Sequence, residues 1–322
     1  MFKLRKKILL VASVIAIGSV GLIGCNKGTN ESENDAFKVT LVLTEGGIQD
    51  QSFNQGAWEG ALKAQEEYDN VEVKYLECKQ KSEYTSNIET AVDSNSDLII
   101  GVGYEMADAI KEAALAYPDQ NFAVVDGSYE ETPKNVRSIL FNEQEAGYVS
   151  GLVSAKLDDS ATKFGFIGGF DIPSVSNFAI GFEKGLKEVN PDATLLVQYA
   201  NSFTDAAKGR VISEQMIKNG ISTIFVAGGG VNNGAIEVAR ESGTKIVGVD
   251  IASNHLAPNT IITSALKNVD EGVKLTIKDL VDGNFTSGEV KYDLSNGGVG
   301  YEDTEHLTDE VIKFVDEKIS NK

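Results

Sequence analysis

The sequence predicts an α/β fold in two lobes, each a parallel sheet wrapped by crossover helices. Three observations carry this reading. Ten short apolar runs recur along the chain, amphipathic stretches of helical length fill most of the gaps between them, and 322 residues with 42% apolar content suffice for two cores. Ten strands would make an unusually large single open sheet, so two sheets of five or six strands each fit better.

Residues 1–24 stand apart from that pattern. Lys3, Arg5, Lys6 and Lys7 precede an apolar run over residues 8–23, which falls short of the roughly 20 apolar residues that comfortably span a bilayer. A charged segment followed by such a run is the pattern of an export signal. The run ends in Leu22-Ile23-Gly24-Cys25, which resembles a bacterial lipobox, where cleavage leaves a diacylglycerol-bearing cysteine as the new N-terminus. The alternative is an uncleaved anchor helix in which Cys25 is incidental. Residues 25–36 are polar and have almost nothing to bury, so they read as a flexible tether.

Strand-like runs then follow at residues 39–43, 71–76, 98–102, 122–125, 138–141, 163–167, 194–199, 223–226, 245–249 and 261–266, and residues 53–68 form the first helical stretch. Such alternation builds parallel sheets, because parallel neighbours need a crossover between them. The lobe boundary is expected near residues 141–144. One lobe would hold residues 37–142 plus about 263–288, the other residues 143–262 plus about 289–322, so the chain would cross between lobes more than once.

Charge and rare residues exclude several functions. The formal charge of −19 becomes −23 once residues 1–24, with four cations and no anion, are removed. Such a chain lacks the field that displaces counterions from phosphodiesters, so no nucleic-acid partner is expected. Two cysteines cannot make a disulfide framework, and two histidines, His255 and His306, give little material for a zinc site or a His-based triad. Cys78 reads as a small core residue. No Walker loop or nucleophile elbow is present, and the glycines at 228, 230 and 234 match a dinucleotide loop only loosely. No metal and no cofactor is expected.

In open parallel sheets, ligand contacts gather beyond the carboxyl ends of the strands. Those loops hold the unusual residues: Asp50, Phe53 and Asn54 after the first run, Asp126 after the fourth, Phe203 and Asp205 after the seventh, Gly228 after the eighth, Asp250 after the ninth and Lys267 after the tenth. Each has a plainer role available. Ser52 and Asp205 suit helix caps, Asp50 suits both a cap and a contact, and Phe53 and Phe203 taken singly suit a core. Together, two aromatic faces with carboxylates suit a clamp for a flat, hydroxylated molecule.

Several segments occur in a family order: residues 50–60 (DQSFNQGAWEG), 165–169 (GFIGG), 202–209 (SFTDAAKG), 227–230 (AGGG) and 296–301 (NGGVGY). Over essentially the whole chain from Phe37 they resemble the basic membrane protein family, substrate-binding lipoproteins of ABC importers, similar to a spirochaetal purine nucleoside receptor. The resemblance implies a type I periplasmic-binding-protein fold, two Rossmann-like lobes joined by a three-stranded hinge, with a nucleoside buried between them. It implies that Phe53 and Phe203 sandwich the base, that Asn54 and Asp126 hydrogen-bond it, and that Gly228, Asp250 and Lys267 hold the ribose, with Asp50 contributing. Lys267 would also offset the charge of Asp250. The implied partners are a nucleoside, a permease and an ATPase, with the protein a non-enzymatic monomer, anchored through Cys25 to the extracytoplasmic face of the cell membrane. A sugar or autoinducer receptor, a nucleoside-sensing surface lipoprotein without a transporter, and an enzyme of nucleoside or sugar metabolism stay open; the paired Phe53 and Phe203 argue against a sugar.

Overall fold

The structure, a computed structural model, describes residues 36–320. The expected export signal, Cys25 and the tether up to residue 35 lie outside the described residues. Two six-stranded sheets make the framework. The first contains β1 (Phe37–Leu43), β2 (Val71–Glu77), β3 (Leu98–Val102), β4 (Asn121–Val125), β5 (Val136–Phe141) and β11 (Gly288–Tyr292), in the spatial order β11-β5-β4-β3-β1-β2 and parallel throughout. The second contains β6 (Lys163–Gly168), β7 (Thr194–Tyr199), β8 (Thr223–Ala227), β9 (Lys245–Asp250), β10 (Ile261–Lys267) and β12 (Val299–Tyr301), in the order β12-β10-β9-β8-β6-β7. Only β12 runs antiparallel to its neighbour.

Nine helices cover the faces among the described residues: α1 (Phe53–Glu67), α2 (Tyr84–Asp93), α3 (Ala107–Ala116), α4 (Glu143–Leu157), α5 (Pro173–Val189), α6 (Ala206–Lys218), α7 (Val231–Ser242), α8 (Val269–Val281) and α9 (Asp309–Ser320). With helices on both sides, central strands bury both faces and read as unbroken apolar runs, as in the fully buried Leu98-Ile99-Ile100-Gly101-Val102. Helix ends follow local chemistry. Pro173 opens α5 where its missing N–H costs nothing, and Gly243, at φ 78°, closes α7 by donating its N–H to the Ala239 carbonyl at 2.9 Å. Cys78 is buried, and its thiol accepts from Asn87 Nδ2 at 3.1 Å.

The chain passes between the sheets three times: from β5 into α4, from β10 into α8, which packs on α1, and from β11 into β12. These connections are tied to one another. The Asn142 N–H donates to the Tyr292 carbonyl at 2.8 Å, and the Asn268 N–H to the Gly298 carbonyl at 2.9 Å. The crossing points differ from the expected bounds in one respect. All of β10 belongs to the second sheet and all of β11 to the first, so the return segment runs over residues 268–292 rather than about 263–288. The sequence pattern could not place β10, because an apolar strand fits either sheet.

Candidate functional site

A cavity of about 240 Å³ opens where the carboxyl ends of the two sets of strands face each other. Asp50, Phe53, Asn54, Asp126, Phe203, Asp250 and Lys267 all line it. Gly228 does not: its N–H turns inward and donates to Asn232 Oδ1 at 2.8 Å, and the neighbouring Gly229 reaches the cavity instead. Gly229 has φ 58°, and a Cβ there would lie 2.9 Å from the Phe203 carbonyl oxygen, so the turn under Phe203 requires glycine.

The first loop is organised by Asp50. Its carboxylate accepts from the backbone N–H groups of Ser52 (3.0 Å), Asn54 (2.8 Å) and Gln55 (3.1 Å) and from Asn54 Nδ2 (3.0 Å). Asp50 thereby satisfies the start of α1, where orphan N–H groups and the helix dipole favour an anion. Burial raises its pKa despite those bonds. This cap absorbs the oxygens that the sequence reading assigned to both a cap and a ligand. Ser52 does not cap α1 with its side chain; its hydroxyl instead crosses to the other lobe and donates to Asp250 Oδ2. Asp205 does cap, accepting from the Lys208 N–H at 3.2 Å.

Lys267 holds the centre at 2% side-chain exposure. Its Nζ donates to Asp126 Oδ2 at 2.6 Å and to Glu143 Oε1 at 2.9 Å, and it lies 5.3 Å from the ring centroids of Phe53 and Phe141. The ammonium's hydrogen bonds go to Asp126 and Glu143 while its charge also offsets that of Asp250, whose own hydrogen bond comes from the Ser52 hydroxyl. Asp126 Oδ1 is buried without a hydrogen-bond partner.

These groups shift one another. Burial pushes Asp126 up to about 7, with Lys267 opposing and Glu143 and Asp250 adding to the rise. Asp250 rises to about 6, again chiefly through burial, opposed by Lys267 and the Ser52 hydroxyl. For Lys267, burial alone would lower the value, but Asp126, Glu143 and Asp250 together hold it above its ordinary range.

Phe53 and Phe203 come from opposite lobes, and three aromatics not singled out from the sequence, Tyr104, Phe170 and Phe178, complete the wall. Phe170 lies 5.1 Å from Phe203, ring centre to ring centre. Its place just past β6, in the same strand-end position as Phe203, was the signal that could have found it. Phe178 sits mid-helix in α5 with the periodicity of a core residue. Among the described residues no group of three His, Cys, Asp or Glu side chains is arranged to hold a metal, and no helix is long and apolar enough to cross a membrane.

The family model described as "ABC transporter substrate-binding protein PnrA-like", Bmp, matches residues 37–322. The chain belongs to the Bmp family. It is thus an ABC transporter substrate-binding protein. Among Bmp relatives it is 36% identical to basic membrane protein A of Borreliella burgdorferi, over 92% of this chain and 86% of that one. It is 32% identical, over 91% of both chains, to a Lactococcus lactis protein named ABC transporter nucleoside-binding protein BmpA. A solved solute-binding protein of an ABC transporter system from Aeropyrum pernix superposes with a TM-score of 0.77 at 30% identity, covering 88% of this chain and 86% of that one. The Bmp architecture of two lobes around a cleft agrees with the fold expected from the sequence.

Proposed function

We propose that this protein captures nucleosides between its lobes and delivers them to the permease of an ABC importer, held at the extracytoplasmic face of the membrane by lipid on Cys25. The observation that carries the reading is the pairing of Phe53 and Phe203, from opposite lobes, around a cavity whose buried charged groups are the carboxylates of Asp50, Asp126 and Asp250 and the ammonium of Lys267. Two rings suit a flat base, and carboxylates accept from amino, imino and hydroxyl groups. The name of the Lactococcus lactis relative supports the same class of ligand. Purines are favoured over pyrimidines because the larger ring system covers more of both phenyl faces.

In this reading the base stacks between Phe53 and Phe203, Asn54 and Asp126 accept or donate at its edge, and Asp250 and Lys267 hold the ribose, with the backbone at Gly229 beneath. The ligand docks on one lobe, the three crossings flex, and closure removes water from the base and the carboxylates. No bond of the ligand is made or broken. A phosphate would meet Asp126, Asp250 and Asp50 with Lys267 already engaged, so nucleosides are preferred to their monophosphates.

Isothermal titration of the purified protein, unfolded and refolded to strip carried-over ligand, tests this. Adenosine, guanosine, inosine, cytidine, uridine, ribose and guanosine monophosphate are the probes. Micromolar or tighter binding to nucleosides, weak or absent for ribose and the monophosphate, supports the reading. Silence with every nucleoside from folded protein, or equal affinity for the monophosphate, overturns it.

A further inference from the structure

Glu143 does not line the cavity, yet its side chain is only 6% exposed and its Oε1 lies 2.9 Å from the Lys267 ammonium. It is the first residue of α4, immediately past the first crossing, and Lys267 is the last residue of β10, immediately before the second. One ammonium thus joins a cavity carboxylate of the first lobe, Asp126, to two of the three hinge connections. Charge balance does not call for Glu143. Lys267 already meets Asp126, and with Glu143 and Asp250 in the same cluster the three carboxylates outnumber the ammonium by two, an excess that burial penalises rather than rewards. The consequence is visible at Asp126: Oδ2 has Lys267, and Oδ1 is buried with nothing to accept from.

We propose that Glu143 is a positioning residue for ligand capture: it draws the Lys267 ammonium toward the hinge, leaves Asp126 Oδ1 to a ligand donor, and makes capture release a proton. This rests on the reading of the cavity as a nucleoside site. An N–H or O–H of the ligand aimed at Oδ1 is accepted far better by the ionised carboxylate than by the protonated one. Near neutrality part of the population carries a proton there, and that proton must leave to the solvent as the ligand's own hydrogen takes its place; no bond of the ligand breaks.

The surroundings of Asp126 favour this. Lys267 from β10 and Glu143 from α4 oppose each other at it, and Asp250 from the end of β9 adds a like charge. Asp50, ahead of α1, spends its oxygens on the helix start. At the cavity mouth Lys81 is paired with Glu105, beside Tyr104 and Glu45, and so is committed away from Asp126. Removing the Glu143 charge turns Lys267 wholly toward Asp126 and Asp250, and both carboxyls then ionise at lower pH.

The test combines guanosine affinity from pH 5.5 to 8.5 with carboxyl-carbon NMR titration of the ligand-free protein. In the wild type, affinity is expected to rise about tenfold per pH unit below neutrality and to level off above it, the slope of one released proton. In Glu143→Gln the bend moves to more acid pH and affinity at pH 8 falls several-fold, whereas Glu143→Asp keeps the bend. In the NMR titration Asp126 ionises at lower pH in Glu143→Gln than in the wild type, with no ligand present. An unmoved Asp126 titration overturns the inference even if guanosine binds. A moved Asp126 titration with no nucleoside binding in the wild type instead overturns the nucleoside reading and leaves the coupling of Glu143 to Asp126 standing. Should Glu143→Gln not fold, wild-type calorimetry at pH 6.5 in phosphate and in Tris decides: heats that differ by the buffers' ionisation heats support proton release, and equal heats overturn it.

Discussion

Asp126 and Asp250 adopt φ of 63° and 65° at the carboxyl ends of β4 and β9, a left-handed backbone that Asp and Asn tolerate better than other side chains. Each places its carboxylate into the cavity at a sharp turn, and such conformations cost about 1 kcal/mol or more. The matched pair makes Asn the informative replacement, since it keeps the backbone and removes only the charge. Asp126→Asn is expected to melt no lower than the wild type at pH 8, because a buried charge is removed while Lys267 keeps Glu143, yet guanosine affinity should fall at least tenfold; thermal melts and calorimetry on the same sample check both halves. Phe53→Ala and Phe203→Ala should each weaken nucleoside binding about 5- to 150-fold, the range for losing one stacked aromatic at about 1–3 kcal/mol, with Phe170→Ala costing less because it lines the cavity beside Phe203 rather than being one of the two stacking rings. At this scale the sequence was informative at most strand ends, as seven of the eight proposed contacts line the cavity, with Phe170 past β6 the strand-end residue it left unread. It was silent on Glu143, because an acidic residue in the first turn of α4 is what the helix dipole asks for anyway. Gly228 was displaced by one position, since only the fold reveals which amide of a glycine run points outward.

Among the elements, α4 and α5 are the pair that positions the site's interior. Glu143 opens α4, and Phe178 lies on α5. Their backbones touch through glycines on both helices: a Cβ on Gly181 would lie 2.0 Å from the Gln144 carbonyl oxygen, and one on Gly185 would lie 2.1 Å from that of Tyr148. No rotamer relieves such a clash, so the helices must separate. Gly181→Ala is expected to destabilise the protein by about 1–3 kcal/mol, read as a lower urea midpoint, and to weaken ligand binding as Glu143 and Phe178 shift. The spacings 147/151 and 181/185 are visible in the sequence, but nothing there says that these two helices pair. Strands β1 to β10 were legible for the opposite reason, as most of them are apolar runs between turn residues. β11 and β12 were not: β11 alternates exposed and half-buried residues at a sheet edge, and β12 has three residues.

Over the whole molecule, the buried acids govern how stability depends on pH. Asp50, Asp126 and Asp250 all have values raised above the ordinary carboxylate, so the protons they hold in the folded state stabilise it fully below about pH 4, and this contribution is lost as pH rises through about 6 for Asp250 and about 7 for Asp126. Glu77, Asp293 and Glu310 are lowered and work in the opposite sense below about pH 4.5, but they lie near the surface, where such pairs contribute little. The ligand-free protein is therefore expected to melt higher at pH 5 than at pH 8, by a few degrees, with the difference reduced in Asp126→Asn. A scanning calorimeter at the two pH values decides it, and a melting temperature that rises toward pH 8 would contradict the burial of these acids. The two-lobed plan was legible from strand count and length, whereas the exact exchange of β10 and β11 between lobes was not, because apolar runs carry no address.

That exchange bears on how the protein matures. Gly288 pairs with Arg137 across about 150 residues of chain, so the lobe whose strands are made first stays unfinished until the chain is nearly complete. Until then the edge of β5 is open and α1 lacks its partner α8. The second lobe waits as well: β6 through β10 follow one another without interruption, but its last strand, β12, comes after β11. Both lobes therefore close only once residues 288–301 have emerged, and residues 36–142, made first, wait longest with an open edge, which makes them the stretch most in need of a holding chaperone.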